Sequence, residues 1–373
     1  MARADLGRDV WRVGVLFSQT GVTAVIEETQ LRGTVMAIEE INAAGGVNGR
    51  ELVPIFYNPA SESRNFARFA EKLLTEDGVS TIFGCYTSSS RKAVLPIVER
   101  RNGLLWYPTL YEGFEYSPNI IYTGAAPNQN SVELAEFLLE TYGRRFYLIG
   151  SDYIYPRESN RIVRELLRQR RGIIVAERYL DLRAQPSEFK LLMRDVRGLR
   201  PDVIFSTVVG EATAYFYQAY ADAGFDPQVM PIASLTTSEA EVRLMGADVA
   251  CGHFTAAPYF EAVKTADNLS FVARYKKRFG DDESTNLCVE AAYFQVHVFA
   301  RALAEVNSMD PDVLRPVVLG SEFDAPQGRI TIDGDSNHTN LWSRLGRANR
   351  FGQFDIIKES LLAVKPDPYL VSH

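Results

Sequence analysis

Tyrosine and hydroxyl side chains gather in four short stretches: GCYTSSSRKA (84–93), LLWYPTLYEGFEYSPN (104–119), GSDYIYPRESN (150–160) and PIASLTTSEAEV (231–242). Each starts as an apolar, strand-like run and ends in Tyr, Ser or Thr, where the next helix or turn should begin. In open α/β sheets ligands sit at that place, beyond the carboxyl ends of the strands. The first two stretches put Tyr86, Ser88, Ser89, Tyr107 and Thr109 there, and the last two put Tyr153, Tyr155, Thr236 and Thr237 there. These side chains offer hydrogen bonds and ring walls but no fixed charge. Such a lining suits a small uncharged polar molecule better than a phosphate, a metal or a zwitterion.

Each motif also has an ordinary reading. Ser88-Ser89-Ser90 ahead of Arg91–Val94 is a helix N-terminus signature, because a serine there satisfies a free backbone N–H. The same N–H groups attract a ligand oxygen, so Ser88 with that helix end is a candidate holder of a carbonyl. A cap needs only one serine, and both readings stand. Tyr107, Thr109 and Tyr111 alternate as on one face of a strand end. Tyr153 and Tyr155 alternate likewise, with Pro156 suited to the first helical position. One tyrosine pair is ordinary packing; several at successive strand ends point to a pocket.

The search for catalysis is negative. The chain has no GxSxG elbow, no HExxH and no GxxxxGK phosphate loop. The glycines of AAGGVNGRE follow a helix rather than a strand and read as a helix stop and turn. His253, His297, His338 and His373 stand in no metal-ligand spacing and fit ordinary structural roles. Asp152, Arg157 and Glu158 are expected to pair with one another or with backbone, and Lys276-Lys277-Arg278 to form a solvated helix face. No enzymatic activity, cofactor or metal site is expected. Cys85, Cys251 and Cys288 are too few and too scattered for a disulfide framework or a zinc site. Cys85 closes an apolar run and reads as a small buried hydrophobe.

A formal net charge of -7 argues against direct nucleic-acid binding through a general basic surface. No window reaches transmembrane length, so no membrane insertion is expected. The start, MARADLGRDVWRVGVLF, lacks an apolar signal core. A cytoplasmic protein is therefore expected, or a periplasmic one if a signal peptide has been removed.

The elements that must position these residues follow from the pattern. A chain of 373 residues exceeds one comfortable core and predicts two lobes. Strand-like runs at 10–17, 51–57, 80–85, 104–107 and 120–122 alternate with helices, the first at about 30–43 and stopped by Gly45-Gly46. After 123–124 the alternation restarts, with strands at 146–150, 173–179, 203–209 and 231–235 and a helix from 156. A run at 252–259 is the candidate return crossing, followed by helices at 269–279 and 287–306. Within 328–357 the pattern becomes antiparallel, with turns at Asp333-Gly334 and Phe351-Gly352. The fold class is α/β, with two doubly wound parallel-sheet lobes and a hinge and ligand cleft between them. The expected division is 10–123 for lobe 1, 124–252 for lobe 2, 253–326 returning to lobe 1, and 327–373 for lobe 2 and a hinge-associated tail.

Together the motifs resemble the type I periplasmic-binding-protein superfamily and, within it, the amide-sensing negative regulators of bacterial aliphatic amidase operons. The resemblance runs from about Val10 to Val371 through FSQTGVTAVIE, INAAGGVNGRE, GCYTSSSRKAV, YPTLYEGFEYSPNI, APNQNS, GSDYIYPRESN, FSTVVG, PIASLTTSEAEV, EAAY, FDAPQG and KPDPY, in order. The urea-binding proteins of ABC importers are similar at TSSSRKAVLP, LLWYP and GSDY, and Trp106 is closer to them. Thr109, Tyr155, STVVG and SLTTSEAEV side with the amide sensors. The resemblance implies a cleft that closes on a short aliphatic amide. Ser88 and Thr109 would hold the amide group, Tyr86, Tyr107, Tyr153 and Tyr155 would complete hydrogen bonds and enclose the alkyl end, and Thr236 would contribute from the second lobe. It also implies an RNA-binding antiterminator as protein partner, released when the amide binds. The alternative is a solute-binding protein of an ABC importer for urea or short amides; a homodimer is left open.

Overall fold

The computed structural model describes residues 10–371. The expectation about a leader rests largely on the segment before them and, like His373, lies outside the described residues. The first alternation comprises β1 (Trp11–Leu16), α1 (Ala24–Ala43), β2 (Leu52–Tyr57), α2 (Ser63–Thr75), β3 (Thr81–Gly84), α3 (Ser88–Arg100), β4 (Leu104–Tyr107) and β5 (Ile120–Tyr122). The second comprises α4 (Ser131–Thr141), β6 (Arg145–Ser151), α5 (Ile154–Gln169), β7 (Ile173–Leu180), α6 (Pro186–Leu199), β8 (Val203–Thr207), α7 (Ala212–Asp222), β9 (Ile232–Ser234), α8 (Glu239–Met245), α9 (Ala247–Ala250) and β10 (Phe254–Ala257). Then follow α10 (Ala266–Phe279), α11 (Leu287–Val306), α12 (Pro311–Val318), β11 (Glu322–Ala325), β12 (Gly328–Ile332), β13 (Thr339–Asn340), β14 (Arg344–Ala348) and β15 (Phe354–Glu359).

Two mostly parallel sheets result. The first has the order β2-β1-β3-β4-β5, the second β15-β14-β10-β9-β8-β6-β7, and β11-β12-β13 form a small antiparallel sheet. Inner strands TIFG and LLWY are buried at every position because helices cover both faces, and the edge strand IIY is buried too, covered on its open side by the 337–338 segment. In the first lobe, Phe66, Leu73 and Val94 of α2 and α3 cover one face, and Met36 of α1 with Phe299 of α11 cover the other. In the second, Leu134 and Val163 of α4 and α5 oppose Phe189 and Phe216 of α6 and α7.

Differences from the sequence reading have local causes. Helix α1 begins at Ala24, earlier than residue 30, because Glu27 in its first turn is buried and folds back: it accepts 2.6 Å hydrogen bonds from the Ser18 N–H and the Thr23 hydroxyl. Helix α5 starts at Ile154, so Pro156 is its third residue, where a missing N–H still costs nothing. Strand β10 pairs with β9 and β14, so the second sheet extends past the boundary expected at 252. Strands β12 and β13 pair with β11 and bond to β5 through Tyr122 and His338, so the segment from 327 stays with the first lobe until β14. The tail lies across the 127–130 connection, where Asn128 accepts from the Asp367 N–H and donates to the Lys365 carbonyl.

Helix α1 packs closely on α11. A Cβ at Gly33 would enter the space of the Val289 carbonyl, so these helices need glycine there. Gly33→Ala should destabilise the protein by about 1–3 kcal/mol in urea denaturation despite alanine's better helix propensity; an unchanged midpoint would show that α1 can move away.

Candidate functional site

The first wall is built at the ends of β3 and β4. Cys85 follows β3 with φ +69°, a left-handed conformation uncommon for a non-glycine residue, and turns the chain into Tyr86. Thr87, not a serine, caps α3, its hydroxyl accepting from the Ser90 N–H at 3.1 Å. Ser88 is the first helical residue and is buried. Its hydroxyl donates to Glu112 Oε2 at 2.8 Å, so its proton is already engaged and only lone pairs remain for a ligand. Behind it Arg91, fully buried, holds Glu112 at 2.6 Å and Glu115 at 2.7 Å.

Strand β4 stops at Tyr107, and Pro108 breaks the alternation. Tyr107, Thr109 and Tyr111 therefore do not share one strand face. Tyr107 is a support: its hydroxyl donates to the Tyr86 carbonyl at 2.7 Å, and the Arg91 guanidinium lies 5.0 Å from its ring centre. Tyr111 packs on Tyr122 and His338, with its hydroxyl tied to the Glu115 backbone. Thr109, 5% exposed, accepts from Gln30 Nε2 at 2.7 Å.

The second wall comes from the other lobe. Tyr153 and Tyr155 are not on a strand; they are the cap and second residue of α5. Tyr153 is half-buried, and Tyr155 is buried with no partner for its hydroxyl. Burial raises the Tyr86 pKa well above the ordinary phenol value, helped by Tyr153, Cys288, Glu241 and Tyr155 nearby. Tyr86 thus has Tyr153 and Tyr155 of the other lobe in its neighbourhood, and Tyr86, Tyr155 and Val242 share one apolar cluster. Thr236 donates to the Val208 carbonyl at 2.7 Å, and Thr237 bonds Tyr217 and Ser234, both within the second lobe.

Charges near the cleft are paired. Asp152 binds Arg157 at 2.7 Å and Glu158 binds Arg161 at 2.9 Å. The basic run on α10 is not simply solvated: Lys276 pairs with Glu261 and Arg278 with Glu39. Sequence reasoning missed Gln30, Glu112, Glu115 and Glu241. Glu112, Glu115 and Glu241 left a trace, as acids within the 104–119 and 231–242 stretches; Gln30 left none.

The lobes touch along α1 and α8, beside a groove of about 360 Å³ lined by Glu28, Arg32, Glu239, Arg243 and Glu283. Glu283 bridges them, bonding Arg32 at 2.8 Å and Arg243 at 2.6 Å. Under this seam burial pushes Glu239 up to about 8 and Glu241 up to about 7. A folded-state pKa above the unfolded one gives stability that is complete below about 4.5 and lost as pH rises through 7–8. Buried His253 and His338 and half-buried His297 are lowered by desolvation and titrate in the opposite sense, destabilising the fold only below about 6.5. The melting temperature should therefore fall between pH 6.5 and 8, and Glu239→Gln should flatten that slope. A variant with the wild-type slope would show that Glu239 ionises normally.

The periplasmic binding protein domain family matches residues 11–373. The chain belongs to that family. Over 336 residues this periplasmic binding protein is 23% identical to the leucine-, isoleucine-, valine-, threonine- and alanine-binding protein of Pseudomonas aeruginosa, covering 89% of this chain and 88% of the relative. A 128-residue stretch, 34% of the chain, is 29% identical to limonene hydroxylase of Geobacillus stearothermophilus but spans only 23% of that protein. Among solved structures, the solute-binding protein of an ABC transporter from Rhodopseudomonas palustris BisB5, in complex with 3,4-dihydroxybenzoic acid, superimposes with TM-score 0.86 at 22% identity. It covers 96% of this chain and 99% of that one, a match of fold. No helix among the described residues is long and apolar enough to cross a membrane.

Proposed function

We propose that this protein is the periplasmic solute-binding component of an ABC importer and that its cleft closes on a small uncharged N–H-bearing solute, a short aliphatic amide or urea. The direction of the hydroxyl protons carries the ligand class. Ser88 gives its proton to Glu112, Tyr107 to the Tyr86 carbonyl and Thr236 to the Val208 carbonyl. Hydroxyls committed inward as donors can meet a ligand only as acceptors, and acceptors call for N–H groups. The unpartnered Tyr155 hydroxyl supplies a donor for one carbonyl oxygen. A carbonyl beside an NH₂ is the complement of that pattern. A carboxylate fits less well, because Arg91 is already held by Glu112 and Glu115.

Binding and closure are one event in this reading. A solute touching Tyr86 of the first lobe and Tyr155 of the second binds the closed form better, and that difference shifts the population. The family match and the P. aeruginosa relative support transport. A cytoplasmic amide sensor releasing an RNA-binding antiterminator would use the same cleft; its support is the sequence resemblance at Thr109, Tyr155 and 235–242.

Isothermal titration of ligand-stripped protein with acetamide, butyramide, urea, acetone and L-leucine tests this. Acetamide or urea should bind, and acetone, the same shape without N–H, at least about tenfold more weakly. Tyr155→Phe should cost about 1–3 kcal/mol of binding. Tighter binding of L-leucine, or acetone equal to acetamide, would sink the ligand class.

A further inference from the structure

Gln30 lies within α1 with no exposed surface. Its amide nitrogen makes two hydrogen bonds, 2.9 Å to the Pro108 carbonyl and 2.7 Å to Thr109 Oγ1. The Pro108 carbonyl can only accept, so the amide cannot be turned round and both its protons are engaged. Two consequences follow for the chain end beside β4. Thr109 receives a proton from Gln30, so its own is free to give; the Cys85 carbonyl, 3.5 Å away, is too distant to hold it. Gln30 Oε1, meanwhile, is buried with no partner, and so is Thr34 Oγ1 one turn along the same helix face. A buried carbonyl oxygen without a donor is rare in a folded protein and marks a place where something else supplies the proton.

We propose that Gln30 is a ligand contact and a specificity-determining residue of the cleft. Its Oε1 takes an N–H of the solute, while its amide protons make Thr109 the donor for the solute's carbonyl. Gln30 thereby sets the polarity of the first wall from α1, as Glu112 sets that of Ser88 from the opposite side. This rests on the amide or urea reading for the choice of probe.

The experiment compares wild type, Gln30→Leu, Thr109→Val and the double variant by titration with acetamide and urea, with thermal unfolding as the check on folding. Gln30→Leu is expected to stay folded but melt somewhat below the wild type, because the buried Pro108 carbonyl loses its donor, and to lose at least about tenfold in affinity. The double variant should bind no more weakly than the worse single one, because both substitutions remove one coupled arrangement. If Gln30→Leu does not fold, Gln30→Met, flexible and of similar volume, carries the comparison. Wild-type affinity in the variant that folds, or fully additive losses, would overturn the proposal. If wild type takes L-leucine instead of either probe, the ligand class falls, and the same comparison with L-leucine decides Gln30. If no solute binds, the side-chain amide of Gln30 decides it by nitrogen-15 NMR. Two slowly exchanging Nε2 protons would support the locked amide, and fast exchange would overturn it.

Discussion

A single guanidinium organises the first wall. Arg91 has no exposed surface, and an unpaired charge at that depth would be strongly destabilising, so the surrounding chain must bring it partners. Glu112 and Glu115 do so, and both belong to the irregular segment between β4 and β5. That segment also carries Tyr111, and the strand end before it carries Tyr107; the Arg91 guanidinium lies 5.0 Å from each ring centre. The need to neutralise Arg91 thus folds the loop onto the start of α3. The loop in turn fixes the Ser88 hydroxyl through Glu112 and the Tyr86 backbone through Tyr107. A surface ion pair could not do this, since solvent would compete for each bond.

The second wall is held by the way the chain crosses between lobes. It leaves the first after β5, returns after β10 and rejoins the second sheet at β14, while the tail lies over the first crossing. The closed arrangement is held at its rim by exposed or half-exposed pairs, Glu283 between Arg32 and Arg243, and Arg183 with Glu62. Such pairs contribute about 0–1 kcal/mol each. These rim pairs therefore add little to holding the lobes together.

Regular elements were legible in the sequence and tertiary partners were not. Residues 287–306 form α11 at the expected bounds because its apolar period runs unbroken, and β4 and β5 stand where their short apolar runs do. Tyr86, Tyr153 and Tyr155, each just beyond a strand end, lie in one neighbourhood. Alternation misled at Tyr107, Thr109 and Tyr111, since Pro108 ends the strand between them. It also could not show that Ser88, Tyr107 and Thr236 spend their protons on partners 21–28 residues away. Gln30 was out of reach for the same reason: it sits 79 residues from Thr109 and looks in sequence like any polar residue of a helix. Pairings at such separations are decided by how the sheets stack, which no local window contains.

The cleft is neutral by two different devices, and this bears on what it can admit. On the α3 side neutrality is electrostatic, with Arg91 balanced by carboxylates. On the α8 side it is protonic: Glu239 and Glu241, pushed by burial to about 8 and about 7, keep their protons for much of the time near neutral pH. Neither device leaves a charge available to a ligand, and desolvation lowers the imidazoles of His253, His297 and His338 as well. A charged solute would have to bring its own counter-ion or pull a proton from the α8 side before the lobes could close over it. In the proposed reading a neutral solute with N–H groups would meet hydroxyl lone pairs and need no proton to move. Selection against charge would then lie in the supports of the walls rather than in the residues that face the ligand.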